Sequence, residues 1–254
     1  MSESPAPEGP IPTDTPRHFV SYAFYKVDPA WRRLPAETRD AHKAELATLL
    51  EQWQDRMMLR TYSTVGIRPD ADMMLWRATP DLELLHQQTV ELLSTEMGAW
   101  LTCTYLYTAT TKQSQYMKDV RSAGFKKERP LDVVPVDRKY IIVYPFVKQR
   151  RWYSLTPEER GAAMREHAVI GRNYPGIKLN TSYSFGIDDQ EFMTAFETDS
   201  VHDFLDLMME LRGSEASKYT ERDTPIFTCL FMSPREALDA LGGATASANI
   251  PALV

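Results

Sequence analysis

The residues able to do chemistry in this chain are five histidines, two cysteines and the strand-like run YPFVK at 144–148. His42, His86 and His202 lie in helical segments dense with polar residues and read as surface histidines. His18 opens a strand and reads as an edge residue. His167 differs, because Ala163, Met164, Ile170, Gly171 and Tyr174 stand at −4, −3, +3, +4 and +7 from it. That spacing places it on the apolar stripe of a helix, facing inward. Two readings stay open for such a histidine: a core residue satisfied by one hydrogen bond, or a metal ligand. If it is a ligand, one imidazole without a second protein donor suits a haem iron better than zinc, since a porphyrin already supplies four nitrogens.

Period-two alternation puts Tyr144, Phe146 and Lys148 on one strand face. The pair is either a surface couple or, lining a pocket, a redox-capable phenol beside a fixed cation. Trp152 and Tyr153 follow and read as aromatic anchors at a helix entry, and Asn180 offers a small polar group further on. No GxGxxG follows a strand, and no GxxxxGK[ST], HExxH, CxxC or GxSxG occurs. Those absences remove the usual nucleotide-binding, zinc-protease and serine-hydrolase readings. Two cysteines are too few for a disulfide framework or a four-thiolate zinc site, and Cys103 and Cys229 are expected to pack as small apolar groups in strands.

These side chains need a scaffold, and the sequence supplies it twice. HFVSYAFYKV (18–27) reads as a strand, 36–55 as a helix with Leu46, Leu49, Leu50 and Trp53 on one stripe, and 58–67 and 72–78 as strands. A helix over 80–96 and a strand over 100–110 close the unit. The second half repeats the order: strand 139–148, helix 156–174, a hairpin of 178–187 with 190–198 turning at Asp188–Asp189, helix 200–216 and strand 224–233. Trp31-x-x-Leu34 with Glu37-x-Arg39 mirrors Trp152-x-x-Leu155 with Glu158-x-Arg160 at an offset of 121. Together these matches predict an internal duplication. The expected fold class is α+β, two ferredoxin-like βαββαβ modules in one chain.

The expected boundaries are a disordered leader at 1–16, a first module at 17–111, a connecting segment at 112–137, a second module at 138–242 and a flexible tail at 243–254. The leader carries five prolines and lacks a signal-peptide pattern. The connector bears Lys112, Lys118, Arg121, Lys126, Lys127 and Arg129. It reads either as a solvated linker or as a source of cations for an anionic ligand. Hydrophobic residues make up 43% and charged residues 25%, as in ordinary globular proteins. The net charge of −6, from 29 basic and 35 acidic residues, leaves no basic field for nucleic acid. No window reaches the ~18 apolar residues of a membrane span, so a cytoplasmic location is expected.

The segments YPFVK, RRWYSLTPEER, MREHAVIGRNYP and NTSYSFGIDDQEFMTAFETD resemble the chlorite dismutase family, and most closely its coproheme decarboxylase, or peroxide-dependent haem synthase, branch. The resemblance spans about 18–235 and is most specific in the second half. It implies a dimeric α+β barrel, a homo-oligomer in the form of a pentamer, and conversion of coproheme III to haem b by hydrogen peroxide, with coproheme as both substrate and cofactor. It implies His167 as the iron ligand, Tyr144 as the catalytic tyrosine that forms a radical, and Lys148 as the lysine of the family's YPxxK motif. Trp152 and Tyr153 stand where chlorite dismutases carry two tryptophans, and the distal arginine of those enzymes falls at Asn180, which counts against chlorite decomposition. A glutamate bonded to the proximal histidine falls near Glu215. The distal histidine of some decarboxylases falls in 124–129, which has none. Lys148, Lys127 and Arg129 are the expected partners of the propionates. The alternatives are a haem peroxidase or chlorite-degrading enzyme, and a non-catalytic haem carrier or sensor.

Overall fold

A computed structural model describes residues 17–113 and 133–242. The leader, the tail and the connector residues Lys118, Arg121, Lys126, Lys127 and Arg129 lie outside the described residues. The first half runs β1 (Phe19–Val27), α1 (Ala36–Gln54), β2 (Met58–Ser63), β3 (Met73–Thr79), α2 (Leu82–Leu93) and β4 (Leu101–Thr110). The second runs β5 (Tyr140–Lys148), α3 (Arg150–Tyr153), α4 (Pro157–Arg172), β6 (Lys178–Tyr183), β7 (Phe192–Thr198), α5 (Val201–Arg212), β8 (Thr220–Arg222), β9 (Phe227–Met232) and α6 (Pro234–Ala240).

Local chemistry sets the helix starts. Thr156 accepts from the Glu159 N–H at 3.2 Å, and the Glu159 carboxylate accepts from the Thr156 N–H at 2.8 Å. This reciprocal cap, with Pro157 at the first helical position, fixes where α4 begins. Ser200 caps α5 by accepting from Asp203 N–H, and Asp81 caps α2 by accepting from Glu83 N–H. The predicted turn at Asp188–Asp189 is a longer loop over 184–191. It is closed by the Ser184 N–H on the Glu191 carbonyl and carries Gly186 at φ 71°. Only glycine adopts that angle without strain. The sequence reading had no counterpart for α3, α6 or β8.

The strands form one antiparallel, nine-stranded sheet in the order β7-β6-β4-β1-β3-β2-β9-β5-β8, and an additional β7–β5 pairing closes it into a ring. Within the ring the first half contributes β4-β1-β3-β2 and the second β6-β7-β5-β9, so each half uses the same strand order. The repeat offset survives in three dimensions. The first and last residues of β1 and β5 are both 121 apart, and so are the starts of α1 and α4.

Three apolar layers follow. Val20, Tyr22, Phe24, Trp76, Ile141, Val143 and Phe227 pack between the halves. Tyr25, Leu46, Leu50, Trp53 and Leu75 join α1 and α2 to the outer face of the first half. Ile142, Tyr144, Phe196, Phe204 and Leu207 do the same under α4 and α5. Cys229 is buried as expected, whereas Cys103 is exposed on β4. That strand has few partners on its outer edge, so the expectation for Cys103 is corrected.

Candidate functional site

The two outer layers are built alike but differ along the helix stripe. In the first half, α1 buries Leu46, Leu50 and Trp53 against the sheet, and Leu46 is 0% exposed. At the 121-residue offset these positions are His167, Gly171 and Tyr174. The helix ends are held alike. Trp53 donates its Nε1–H to Glu91 at 2.7 Å, and the Tyr174 hydroxyl donates to Glu210 at 2.6 Å. Yet α4 fully buries only Gly161 and Ala163, and Phe146, Ile170, Tyr174, Ile177, Leu179 and Met208 remain partly exposed around the layer. Partly open apolar side chains between a helix and a sheet are the kind of lining an apolar ligand uses.

His167 stands in this seam. Ala163 and Met164 on its stripe pack with Trp152 and Ala216, while Ile170 and Tyr174 pack with the Tyr144 layer. The ring is half-buried and has no hydrogen bond to a described residue. Burial, and then the Lys148 ammonium, push its imidazole down to about 4, opposed only by Glu166. It is therefore neutral at pH 7, as an axial ligand must be. No cluster of three or more His, Cys, Asp or Glu side chains able to hold a metal ion occurs among the described residues. One neutral imidazole in an apolar seam fits an iron porphyrin rather than a bare ion.

Tyr144 is 4% exposed and stacks on Phe196, with centroids 5.9 Å apart and planes at 16°. Its hydroxyl faces the Met208 Sδ at 3.7 Å. Burial pushes the phenol up to about 12, so it keeps its proton at physiological pH. Asp223 and Arg212, an ion pair at 2.5 Å, act on the phenol with opposite signs. Outside Met208 an apolar groove of about 330 Å³ runs along α5, lined by Phe204, Leu205, Met209 and Ile226, with Arg212 at its edge.

Three expected site residues have neighbourhoods other than those expected. Lys148 shares the Tyr144 face but not the rim. It is 8% exposed, donates from Nζ to the Ala216 carbonyl at 2.7 Å, and lies over the rings of Trp152 and Phe146. Burial pulls its ammonium down to about 8. Its charge acts on His167 from within the protein. Asn180 lies on the opposite sheet face, because it pairs with Ala195 while Leu179 pairs with Phe196 and Thr181 with Thr194. Its amide donates to Glu197 at 2.8 Å, inside the ring. The Tyr144 face of β6 therefore carries Leu179, Thr181 and Tyr183. Glu215 is exposed and pairs with Lys218 at 2.6 Å, and its neighbour Ala216 is the residue buried beside Trp152. Trp152 is a buried anchor, tilted against Tyr219 at 5.3 Å. Lys127 and Arg129 lie outside the described residues. Met208, Ala216 and Gly171 were missed as site residues. The 121-residue offset, applied along the whole helix, would have singled out the last.

Residues 14–232 match the family model described as chlorite dismutase. A curated relative, the coproheme decarboxylase of Mycolicibacterium smegmatis, is 32% identical over 187 residues, covering 72% of this chain and 78% of its own. Among solved structures, chlorite dismutase from Candidatus Nitrospira defluvii in complex with imidazole superposes with a TM-score of 0.78 at 26% identity, covering 90% of this chain and 96% of its own. A haem-binding protein from Thermus thermophilus shares the fold, with a TM-score of 0.75 at 24% identity over 91% of this chain and 98% of its own.

Proposed function

Because the chain belongs to the chlorite dismutase family, we propose that it converts coproheme III to haem b with hydrogen peroxide as the oxidant. The observation that carries the reading is the contrast between the halves: a neutral His167 where the first half packs Leu46, opening onto a seam that contains a buried phenol. The repeated strand order supports two ferredoxin-like modules, of which the second became the porphyrin site.

His167 would hold the iron through its free imidazole nitrogen. Bound coproheme supplies the iron centre at which peroxide is reduced and oxidising equivalents become available. Tyr144 keeps a hydrogen atom on its phenolic oxygen until it is oxidised, and the tyrosyl radical then takes a hydrogen atom from the propionate. The carbon radical then gives up its second electron to the remaining oxidising equivalent from peroxide as carbon dioxide leaves, and a vinyl group remains. For each propionate, one carboxylate, one peroxide and one proton give one vinyl, one carbon dioxide and two waters. Phe146, Ile170 and Leu179 would offer apolar surface to the bound porphyrin, and the buried Lys148 helps keep His167 unprotonated.

The position at which the resemblance puts the chlorite dismutase arginine is the neutral amide Asn180, which supports decarboxylation over a chlorite reaction. The test adds coproheme to the protein, follows its absorption spectrum, titrates peroxide and identifies the porphyrins by mass. Successive loss of two carboxyl groups supports the proposal. A stable, unreacted complex selects a haem carrier instead.

A further inference from the structure

We propose that Gly171 determines porphyrin access: its missing side chain, one helical turn beyond His167, is the room in which the edge of the macrocycle sits. The inference rests on the haem reading above. Gly171 lies within α4, where glycine is less favourable than alanine. Its backbone does not explain the choice. Positive φ angles occur at Gly66, Gly186 and Gly242, and not at Gly171. Close packing does not explain it either. A Cβ built there meets nothing within 4 Å, whereas one at Gly98 would lie 2.1 Å from the Leu92 carbonyl oxygen.

The first half states what the position holds when no ligand is to be accommodated. Its counterpart, Leu50, is 0% exposed and fills the space between α1 and the sheet. The neighbouring positions keep their character, with Leu49 matched by Ile170 and Trp53 by Tyr174. Both aromatic residues are tied to a glutamate on the next helix. The helix is thus anchored in both halves at the same place. What the second half has lost is side-chain volume at one stripe position, Gly171, a turn beyond His167. The lost volume faces the layer that holds Tyr144.

The experiment compares the full-length protein with Gly171→Leu and Gly171→Ala. Coproheme affinity is read from quenching of tryptophan fluorescence, and stability from thermal unfolding without porphyrin. Gly171→Leu restores the residue of the first half and should keep or raise Tm while weakening coproheme binding at least about 10-fold. Gly171→Ala adds one methyl group and should raise Tm while changing the affinity less than about 3-fold. A more stable but poorly binding variant is a signature that a purely structural glycine would not give. Parent-like coproheme affinity in Gly171→Leu overturns the proposal. A lower Tm in Gly171→Ala also overturns it, since the space would then already be filled. If the parent does not bind coproheme at all, the haem reading fails first and takes this inference with it.

Discussion

Replacing Tyr144 by phenylalanine removes a single oxygen, and the structure specifies what that should cost. The ring is buried and stacks on Phe196 at 5.9 Å, a contact phenylalanine retains. The hydroxyl's hydrogen bond is to a thioether sulfur 3.7 Å away, a weak acceptor. Its loss should therefore change stability by no more than about 1 kcal/mol, or about 2–4 °C in Tm for a chain of this size. Coproheme affinity should stay within about 3-fold, since His167 and the apolar seam are untouched. Turnover is another matter. Without a phenolic O–H no tyrosyl radical forms, and haem b production should fall at least about 1000-fold, or about 4 kcal/mol in the barrier. The assay mixes coproheme-loaded protein with peroxide and measures coproheme and haem b by mass over time, beside an equilibrium binding titration. Because burial holds the phenol at about 12, the parent rate should show no tyrosine ionisation between pH 6 and 9. Haem b formed at the parent rate by Tyr144→Phe would refute the radical role. Equal loss of binding and turnover would make the residue structural.

His167→Gly should lose coproheme affinity and regain it with free imidazole, as spectroscopic titration would reveal; imidazole-independent binding would exclude His167 as the ligand. The His167 imidazole sits at about 4 in the folded chain against an ordinary value near 6.5, so the unfolded chain binds its proton more readily. Stability of the porphyrin-free protein should thus be complete above about pH 6.5 and fall toward pH 4 by at most about 3 kcal/mol, and denaturant unfolding of His167→Gln should lack that slope. Lys148→Met removes the charge that, after burial, most depresses His167, so the imidazole should titrate closer to 6.5 in an NMR experiment. An unmoved resonance would mean that burial alone sets it.

Much of this architecture was legible in the sequence because its periodic signals are strong and occur twice. β1, β5 and α4 begin within one residue of their expected starts, and α1 begins at its own. What escaped depends on register and depth. Counting thirteen residues from His167 to Asn180 crosses the turn after α4, whose length no periodicity fixes. A slip of one residue along a strand moves a side chain to the other face of the sheet. Alternation put Lys148 beside Tyr144 but could not reveal the Ala216 carbonyl, brought in from 68 residues away. Ring closure was implied by the family resemblance alone, because it depends on β2–β9 and β4–β6 pairing across the two halves.

The ring has one thin place. β4 meets β6 through the single pair Thr110 and Tyr183, whereas it meets β1 along nine. Beyond that pair, side chains from the 184–191 loop do the joining. Asp188 accepts from the Thr108 N–H at 2.7 Å, and Ser184 donates to the Thr108 carbonyl at 2.9 Å. Side-chain clasps of this kind blunt an otherwise open strand edge. They also make the β4–β6 boundary the zipper's free end, where fluctuations that separate the halves begin. Amide hydrogen exchange should register this as a gradient, with the outward-facing N–H groups of β4 exchanging well before those bonded to β1.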